Sequence, residues 1–300
     1  MSRMFRRLPP WVRQHVAGLR MLVVATVGLG IAYPLAITAV AQLPGLKHKA
    51  DGSLVYRGSQ VVGSSLLGQS FSDSKGDAVT KYFQSRPSAA GNGYDPTASG
   101  ASNLGPEDVV DTLPDPTVKA DTGKASLLSQ ICARSLAVGM LEQVDGRRPY
   151  CTADGVGAVL SVITTHGSTT QITHVISVNQ ACPATPFVAS YDGVRVQCAA
   201  FGVDYRIGKI VLVRGPGKAW PANPVPPDAV TASGSGLDPD ISVAYATLQA
   251  PRVARSRGIA LPTVLTLIHE HTTDRALGFI GEPAVNVLAL NLALDKLPGK

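Results

Sequence analysis

Between Met21 and Leu43 lie 23 residues without a charged side chain, MLVVATVGLGIAYPLAITAVAQL. At about 1.5 Å per helical residue this run is long enough to cross a hydrocarbon core of about 30 Å. Arg3, Arg6, Arg7, Arg13 and Arg20 precede it, whereas only Lys47 and Lys49 follow closely. The arginine excess places the N-terminus in the cytoplasm and exports the remainder. A cleaved signal peptide is the rival, since Ala39-Val40-Ala41 has small-x-small spacing. Signal h-regions are shorter, about 7–15 residues, and the run carries Pro34 near its centre, so an anchor fits better. The run has no polar face, which argues against a helix lying along the membrane surface. Pro34 removes one helical hydrogen bond and predicts a kink. Gly28, Ala32 and Ala36, spaced by four, would let another helix approach closely.

Charge reads differently once the span is set aside. No Asp or Glu occurs before Asp51, and seven of the 27 basic residues lie in the same stretch, leaving 20 against 21 acids. The net charge of +6 therefore reflects the membrane flank and gives no support to nucleic-acid binding.

After the span, Leu54, Val55, Val61 and Val62 are strand-like around a Gly52-Ser53 turn. Residues 63–106 are rich in Gly, Ser, Asn and Pro and predict functional loop, with a short helix around Val79–Phe83. From Leu127 onward the texture changes. Ser126–Leu141 suits a helix, and Val159–Thr164, Gln171–Val178, Gly193–Cys198 and Ile207–Val213 suit strands. Pro216, Pro221, Pro224, Pro226 and Pro227 mark a boundary. Beyond it, Asp238 with Pro239 predicts a capped helix over Ile241–Leu248. A helix restarted by Pro251 over Arg252–Arg257 would end at Gly258, and one opened by Pro262 would cover Thr263–His271. Val285–Leu294 is apolar, and its periodicity fits strand or helix. No internal repeat is evident.

All four cysteines, Cys132, Cys151, Cys182 and Cys198, fall between the two proline-bearing boundaries. Outside the cytoplasm they predict two disulfides, with all three pairings open. A zinc site is the alternative, but no CxxC occurs and His166 and His174 lack finger spacing.

Conventional catalytic spacings are weak. There is no GxxxxGK[ST]; the SxxK spacing of Ser72–Lys75 lies in a charged loop; and His269-Glu270-His271 is not the HExxH arrangement. Ser233-Gly234-Ser235-Gly236 could present amides and hydroxyls to an anion, with Arg86, Arg252 and Arg257 adding charge, although a plain turn with paired arginines explains the same residues better.

Several segments are unusual when read together. They are Tyr82-Phe83-Gln84-Ser85-Arg86-Pro87-Ser88-Ala89, then Tyr94-Asp95, then Ser102-Asn103-Leu104-Gly105-Pro106. Farther on come Ser233-Gly234-Ser235-Gly236-Leu237-Asp238-Pro239, Gln249, Pro251-Arg252-Val253-Ala254, Arg257-Gly258, and Gly281-Glu282-Pro283 with Asn286 and Leu290-Asn291. In content and order these resemble the C subunit of the Kdp potassium-transporting ATPase, a P-type ATPase complex. The span resembles that family too, with Ala32-Tyr33-Pro34-Leu35, as do Gly52-Ser53-Leu54 and Val62–Gln69. The likeness covers residues 20–112 and 225–297. In the family the SNLGP and SGSGLDP blocks lie much closer together than here.

The resemblance, with the topology, implies this organisation: a cytoplasmic basic N-terminus at 1–20, a transmembrane helix at 21–43, an extracytoplasmic α+β domain at 44–112 and 225–300, and an inserted, β-rich, disulfide-bonded subdomain at 113–224. The resemblance also implies a non-catalytic role in high-affinity potassium import. Its partners would be the potassium-translocating and ATP-hydrolysing subunits, in the plasma membrane. Assembly, and a catalytic-chaperone action raising the ATP affinity of the hydrolysing subunit, are the expected duties. No intrinsic cofactor is expected; ATP would be met only through the complex. By the same resemblance, Ser85, Arg86, Pro87, Ser88, Ser102, Asn103, Ser233, Gly234, Ser235, Gly236, Asp238, Gln249, Arg252, Arg257 and Asn286 are the candidates for partner or nucleotide contact. The charge bias, however, puts these residues on the side of the membrane away from cytoplasmic ATP, over the extracellular mouth of the potassium path. A membrane-anchored extracytoplasmic hydrolase and a stand-alone sensor are the rival functions.

Overall fold

A computed structural model describes residues 9–165, 171–214 and 225–297. They form two units, divided between Leu66 and Leu67.

The first unit begins with one long helix, α1, over Pro10–Ala41, with no buried residue along it. Its 32 residues give about 48 Å of rise, enough to span a bilayer. The backbone widens over Thr26–Ala32 into a π-helical stretch, where the Tyr33 amide reaches back to Gly28 O. This is how the helix accommodates Pro34, whose ring would otherwise collide with the carbonyl four residues earlier. A single turn at Lys47–Ala50 leads to a hairpin of β1 (Leu54–Arg57) and β2 (Gln60–Ser64), at the positions their apolar residues indicate.

The second unit is α+β. Helix α2 (Leu127–Glu142) is capped by Ser126, which accepts from the Ser129 amide. Next come β3 (Val159–Thr164), β4 (Ile172–Ala181), β5 (Ser190–Tyr191), β6 (Val194–Ala199) and β7 (Lys209–Leu212). They form one sheet in the order β5-β6-β4-β3-β7, in which β4 and β6 run parallel and the other pairs antiparallel. Side-chain alternation along β3 and β4 supplies both faces. Val159, Ile176 and Val178 pack with Val109, Leu113 and Leu128, and Leu160 and Val175 pack with Phe187, Tyr191 and Val213. The disulfides are Cys132–Cys151 and Cys182–Cys198, with Cα atoms 5.4 and 5.1 Å apart. The first ties α2 to the loop before β3; the second ties the end of β4 to β6. His166 and the proline run from Pro216 to Pro224 lie outside the described residues.

The rest of the unit comprises β8 (Asp240–Ser242), α3 (Val243–Arg257), α4 (Leu261–Glu270), β9 (Thr272–Thr273), β10 (Ala284–Asn286) and α5 (Val287–Lys296), with a small sheet in the order β8-β10-β9. Its core holds Phe83, Tyr245, Val253, Val264, Val285, Leu290 and Leu294. Helix α2 serves both cores: Leu128 packs on the large sheet, while Ile131 and Val138 pack on the helical core. The disulfide-bonded lobe is thus continuous with its surroundings.

Four local expectations differ from the structure. Residues 79–83 are turn and extended chain, because the amides of Phe83 and Gln84 are claimed by side chains of α5 and α3. Asp238 caps nothing: the helix starts two residues beyond Ile241, with Ser242 accepting from the Tyr245 amide, since Ile241 pairs with Val285 as a strand. Pro251 does not interrupt α3, which runs from Val243 to Arg257. Buried Gln249, Ala250, Arg252 and Val253 clamp the helix on both sides of the proline and outweigh its missing donor. Gly258, at φ +64°, does end it. Val285–Leu294 is divided, with Val285 and Asn286 in β10 and the helix following.

Candidate functional site

The serine- and glycine-rich blocks, far apart in sequence, are interlaced in the second unit. Segment 85–100 runs beside 233–238, and several hydrogen bonds join the two. Ser88 Oγ donates to Gly236 O at 2.6 Å, Pro87 O accepts from the Ser233 amide at 3.0 Å, and Gly100 N donates to Ser235 O at 2.9 Å. The Tyr94 hydroxyl donates to Arg86 O at 2.6 Å, and burial pushes its pKa up to about 12. Ser85 Oγ donates to Gln69 O.

Close approach explains the glycines here. Gly236 sits at φ +71°, and a Cβ there would lie 2.6 Å from Ala90 Cβ and 2.8 Å from Gly100 O. A Cβ on Gly68 would fall 2.3 Å from Asp238 O. Gly234, by contrast, is open.

At the centre of the interlaced loops Arg86 Nη1 meets Asp238 Oδ2 at 2.9 Å. Ser235 Oγ donates to the other oxygen of Asp238, the Gly236 amide donates to Ser233 Oγ, and the Leu237 amide donates to Ser235 Oγ. Both hydroxyls and the Gly236 and Leu237 amides are thus engaged within the loop, with Asp238 as the resident carboxylate. Arg86 Nε is buried without a partner. Arg86 lines two clefts. One, of about 300 Å³, is lined by Arg86 and Arg134 together with Ser85 and Tyr94. The other, of about 620 Å³, is lined by Asp228, Asp238, Asp240 and Glu282 as well as by Arg86. Asn286 Nδ2 donates to Asp240 there, while its Oδ1 caps α5 by accepting from the Ala289 amide. Burial, aided by nearby Asp238, raises the Asp240 pKa.

Gln249, Arg252 and Arg257 form a separate group, which anchors residues 80–84. Gln249 and Asn291 act as peptide mimics. Gln249 Oε1 accepts from Gln84 N at 2.7 Å and its Nε2 donates to Gln84 O, while Asn291 does the same for Phe83 at 2.8 and 3.0 Å. Arg252 donates to Thr80 O, Tyr82 O and Gln249, and its Nε meets both oxygens of Glu142 at 2.9 and 3.0 Å. The two side chains of that ion pair are 4% and 1% exposed. Arg257 pairs with Asp295 at 2.8 Å and stacks over the Tyr82 ring. Ser102 and Asn103 belong to neither group. They lie in the loop after Gly100, where Asn103 adopts φ +55°.

Glu142, Asn291 and Gly68 are not among the sequence candidates, although Asn291 and Gly68 lie in segments that carry the resemblance. Asn291 is a polar residue within an apolar helical run, which is the usual sign of a buried hydrogen-bonding duty. Glu142 shows no such signal, because its partner lies 110 residues away.

No nucleophile–base–acid relay joins these side chains. Ser235 touches Asp238, but no histidine hydrogen-bonds to any candidate serine among the described residues. Among those residues, likewise, no group of three metal-ligating side chains gathers.

Comparison with known proteins agrees with the early resemblance. The family described as the K+-transporting ATPase c chain matches residues 15–115 and 209–296. Relatives named potassium-transporting ATPase KdpC subunit include one from Kineococcus radiotolerans, 37% identical over 284 residues, covering 94% of this chain and 93% of the relative. One from Mycobacterium tuberculosis is 36% identical over 285 residues, covering 95% and 99%. One from Rhodospirillum rubrum is 34% identical over 267 residues, covering 89% and 87%. With its apolar helix, its interlaced serine–glycine loops and a family match over both flanks of the cysteine-bearing segment, this chain belongs to the KdpC family, the c chain of the K+-transporting ATPase.

Proposed function

We propose that the chain is a non-catalytic, single-span subunit of the pump, with its folded unit outside the cytoplasm, where it docks on the potassium-translocating subunit and stabilises the assembly. One observation carries the reading: two disulfides in a chain whose span has five arginines on its N-terminal flank. Disulfides persist outside the cytoplasm, and the arginine bias exports the same residues, so two independent physical arguments agree.

Any effect on the ATP affinity of the hydrolysing subunit is then indirect. It travels through the assembled membrane region, because ATP and this unit are separated by the bilayer. The interlaced loops favour that version, since their anion-binding groups serve Asp238 and one another.

The test is a reporter fused at Lys300, combined with ATPase assays on pump lacking this chain. The expected result is a reporter active only outside the cytoplasm and a loss of potassium-stimulated hydrolysis that the full-length chain restores. A cytosolic reporter, or tight binding of an ATP analogue by the isolated chain, would overturn the reading.

A further inference from the structure

The connection between β9 and β10 is a small hairpin, in which Ala276 and Ile280 exchange backbone hydrogen bonds at 2.9 Å and Arg275 pairs with Glu282. Its tip carries Leu277, Phe279 and Ile280, which are 83%, 72% and 52% exposed. Leu277 sits at φ +54°, a conformation that costs a branched side chain energy and that no packing at the tip offsets. Apolar side chains held out in this way mark a surface that is covered by something.

The base of the hairpin adds charge. Two clefts of about 620 Å³ each adjoin there and share Ser242, Glu282 and Pro283. One is floored by Val243, Leu265 and Ile268 and edged by Asp274; the other holds Asp228, Asp238 and Asp240 against the single arginine Arg86, which Asp238 already engages. Asp238 and Glu282 have arginine partners, but Asp228, Asp240 and Asp274 have no cation within 4.0 Å among the described residues. Burial and the adjacent Asp238 charge already push the Asp240 pKa up, as expected where a positive group is missing.

We propose that the hairpin tip and the acidic cleft at its base are one docking surface for a polypeptide segment of another pump subunit, a segment that offers apolar side chains to the tip and a lysine or arginine to the cleft. Charge decides between occupants. Asp228 and Asp240 are hydrogen-bonded by Ser242 and Asn286 but keep their charge, so an anionic membrane surface would set its phosphates against them, whereas a basic protein segment neutralises them. The proposal rests on the reading of the chain as a pump subunit and assigns the contact residues within it.

The experiment uses the intact purified pump with a photo-crosslinking phenylalanine analogue at position 277 or 279. Position 140, where Met140 is 68% exposed on α2, is the control. Adducts to a peptide of another subunit from 277 and 279, and none from 140, are expected. Adducts to lipid alone, or none in an intact pump, overturn the proposal. In a second arm, Asp274→Lys with Glu282→Lys should lower retention of the chain on washed pump at least tenfold, with the melting temperature of the chain unchanged. Full retention overturns the electrostatic half. If the double variant melts early, the photo-crosslinks alone decide. An adduct to a cytoplasmic ATP-hydrolysing region would support the docking surface yet refute the extracytoplasmic topology, so the two readings fail separately.

Discussion

The Glu142–Arg252 pair makes an asymmetric prediction. Thr80 O, Tyr82 O and Gln249 hold the Arg252 guanidinium in place after Glu142 is removed. Glu142→Ala therefore leaves a buried, immobilised cation, at a cost of about 3–5 kcal/mol. For a unit of this size that corresponds to a fall in Tm on the order of 10 °C. Arg252→Met leaves a buried carboxyl instead, and burial already pushes the pKa of Glu142 up. Without its partner the carboxyl takes up a proton. A pKa raised in the folded state means that the unfolded chain binds fewer protons, so stability declines as pH rises through the raised value. Arg252→Met should accordingly be mildest in the ordinary carboxylate range and grow more damaging as pH rises above it. Urea unfolding of the full chain in detergent, followed by circular dichroism with disulfides intact, measures both. A Glu142→Ala cost below about 1 kcal/mol, the level of an exposed pair, would refute the reasoning. So would a pH-independent Arg252→Met.

Further outcomes concern the interlaced loops, the cysteines and Asp240. Gly236→Ala should cost about 1–3 kcal/mol, because it places a Cβ against Ala90 and Gly100 O at positive φ, while Gly234→Ala should change little; paired thermal melts compare them. Reduction should remove about 3 kcal/mol for each disulfide, which close sequence separations of 19 and 16 residues. Mass spectrometry of an unreduced digest should recover Cys132 with Cys151 and Cys182 with Cys198. Asp240→Asn keeps an acceptor for Asn286 but removes a charge that burial and Asp238 disfavour, so stability at pH 7 should rise slightly. Because the folded pKa of Asp240 is raised, wild type should lose stability as pH climbs above the ordinary carboxylate range, and the variant should lose less. A melt of Asp240→Asn below wild type at pH 7 would contradict this.

The parts that were legible in the sequence are those with a local cause. The long helix follows from an uncharged run, β3 is bounded as its apolar residues indicate, and Gly258 ends α3 because only a residue tolerant of positive φ fits there. The misread parts have distant causes. Ile241 is a strand residue because Val285 lies beside it, and residues 79–83 are extended because Asn291 and Gln249 substitute for a neighbouring strand. Of the candidate residues, Arg86 and Asp238 do meet, but Arg252 and Arg257 serve a different part of the unit. Sequence order cannot separate those duties, since side-chain chemistry is the same in both.

The segment that the family match skips is physically bound to the segments it covers. Glu142 neutralises Arg252, Arg134 donates to Val230 O at 3.0 Å, Arg148 donates to Val225 O at 2.5 Å, and Ile131 and Val138 complete the helical core. A surface loop expansion would make none of these contacts and could be cut at little more than loop-closure cost. Removing residues 116–208 from this chain would instead strand a buried cation, free two backbone carbonyls and open the apolar face of α3. The five-stranded lobe and the helical core therefore stand or fall together, and any chain that carries the Arg252 block without such a segment must place another carboxylate where Glu142 lies, or keep that arginine in water.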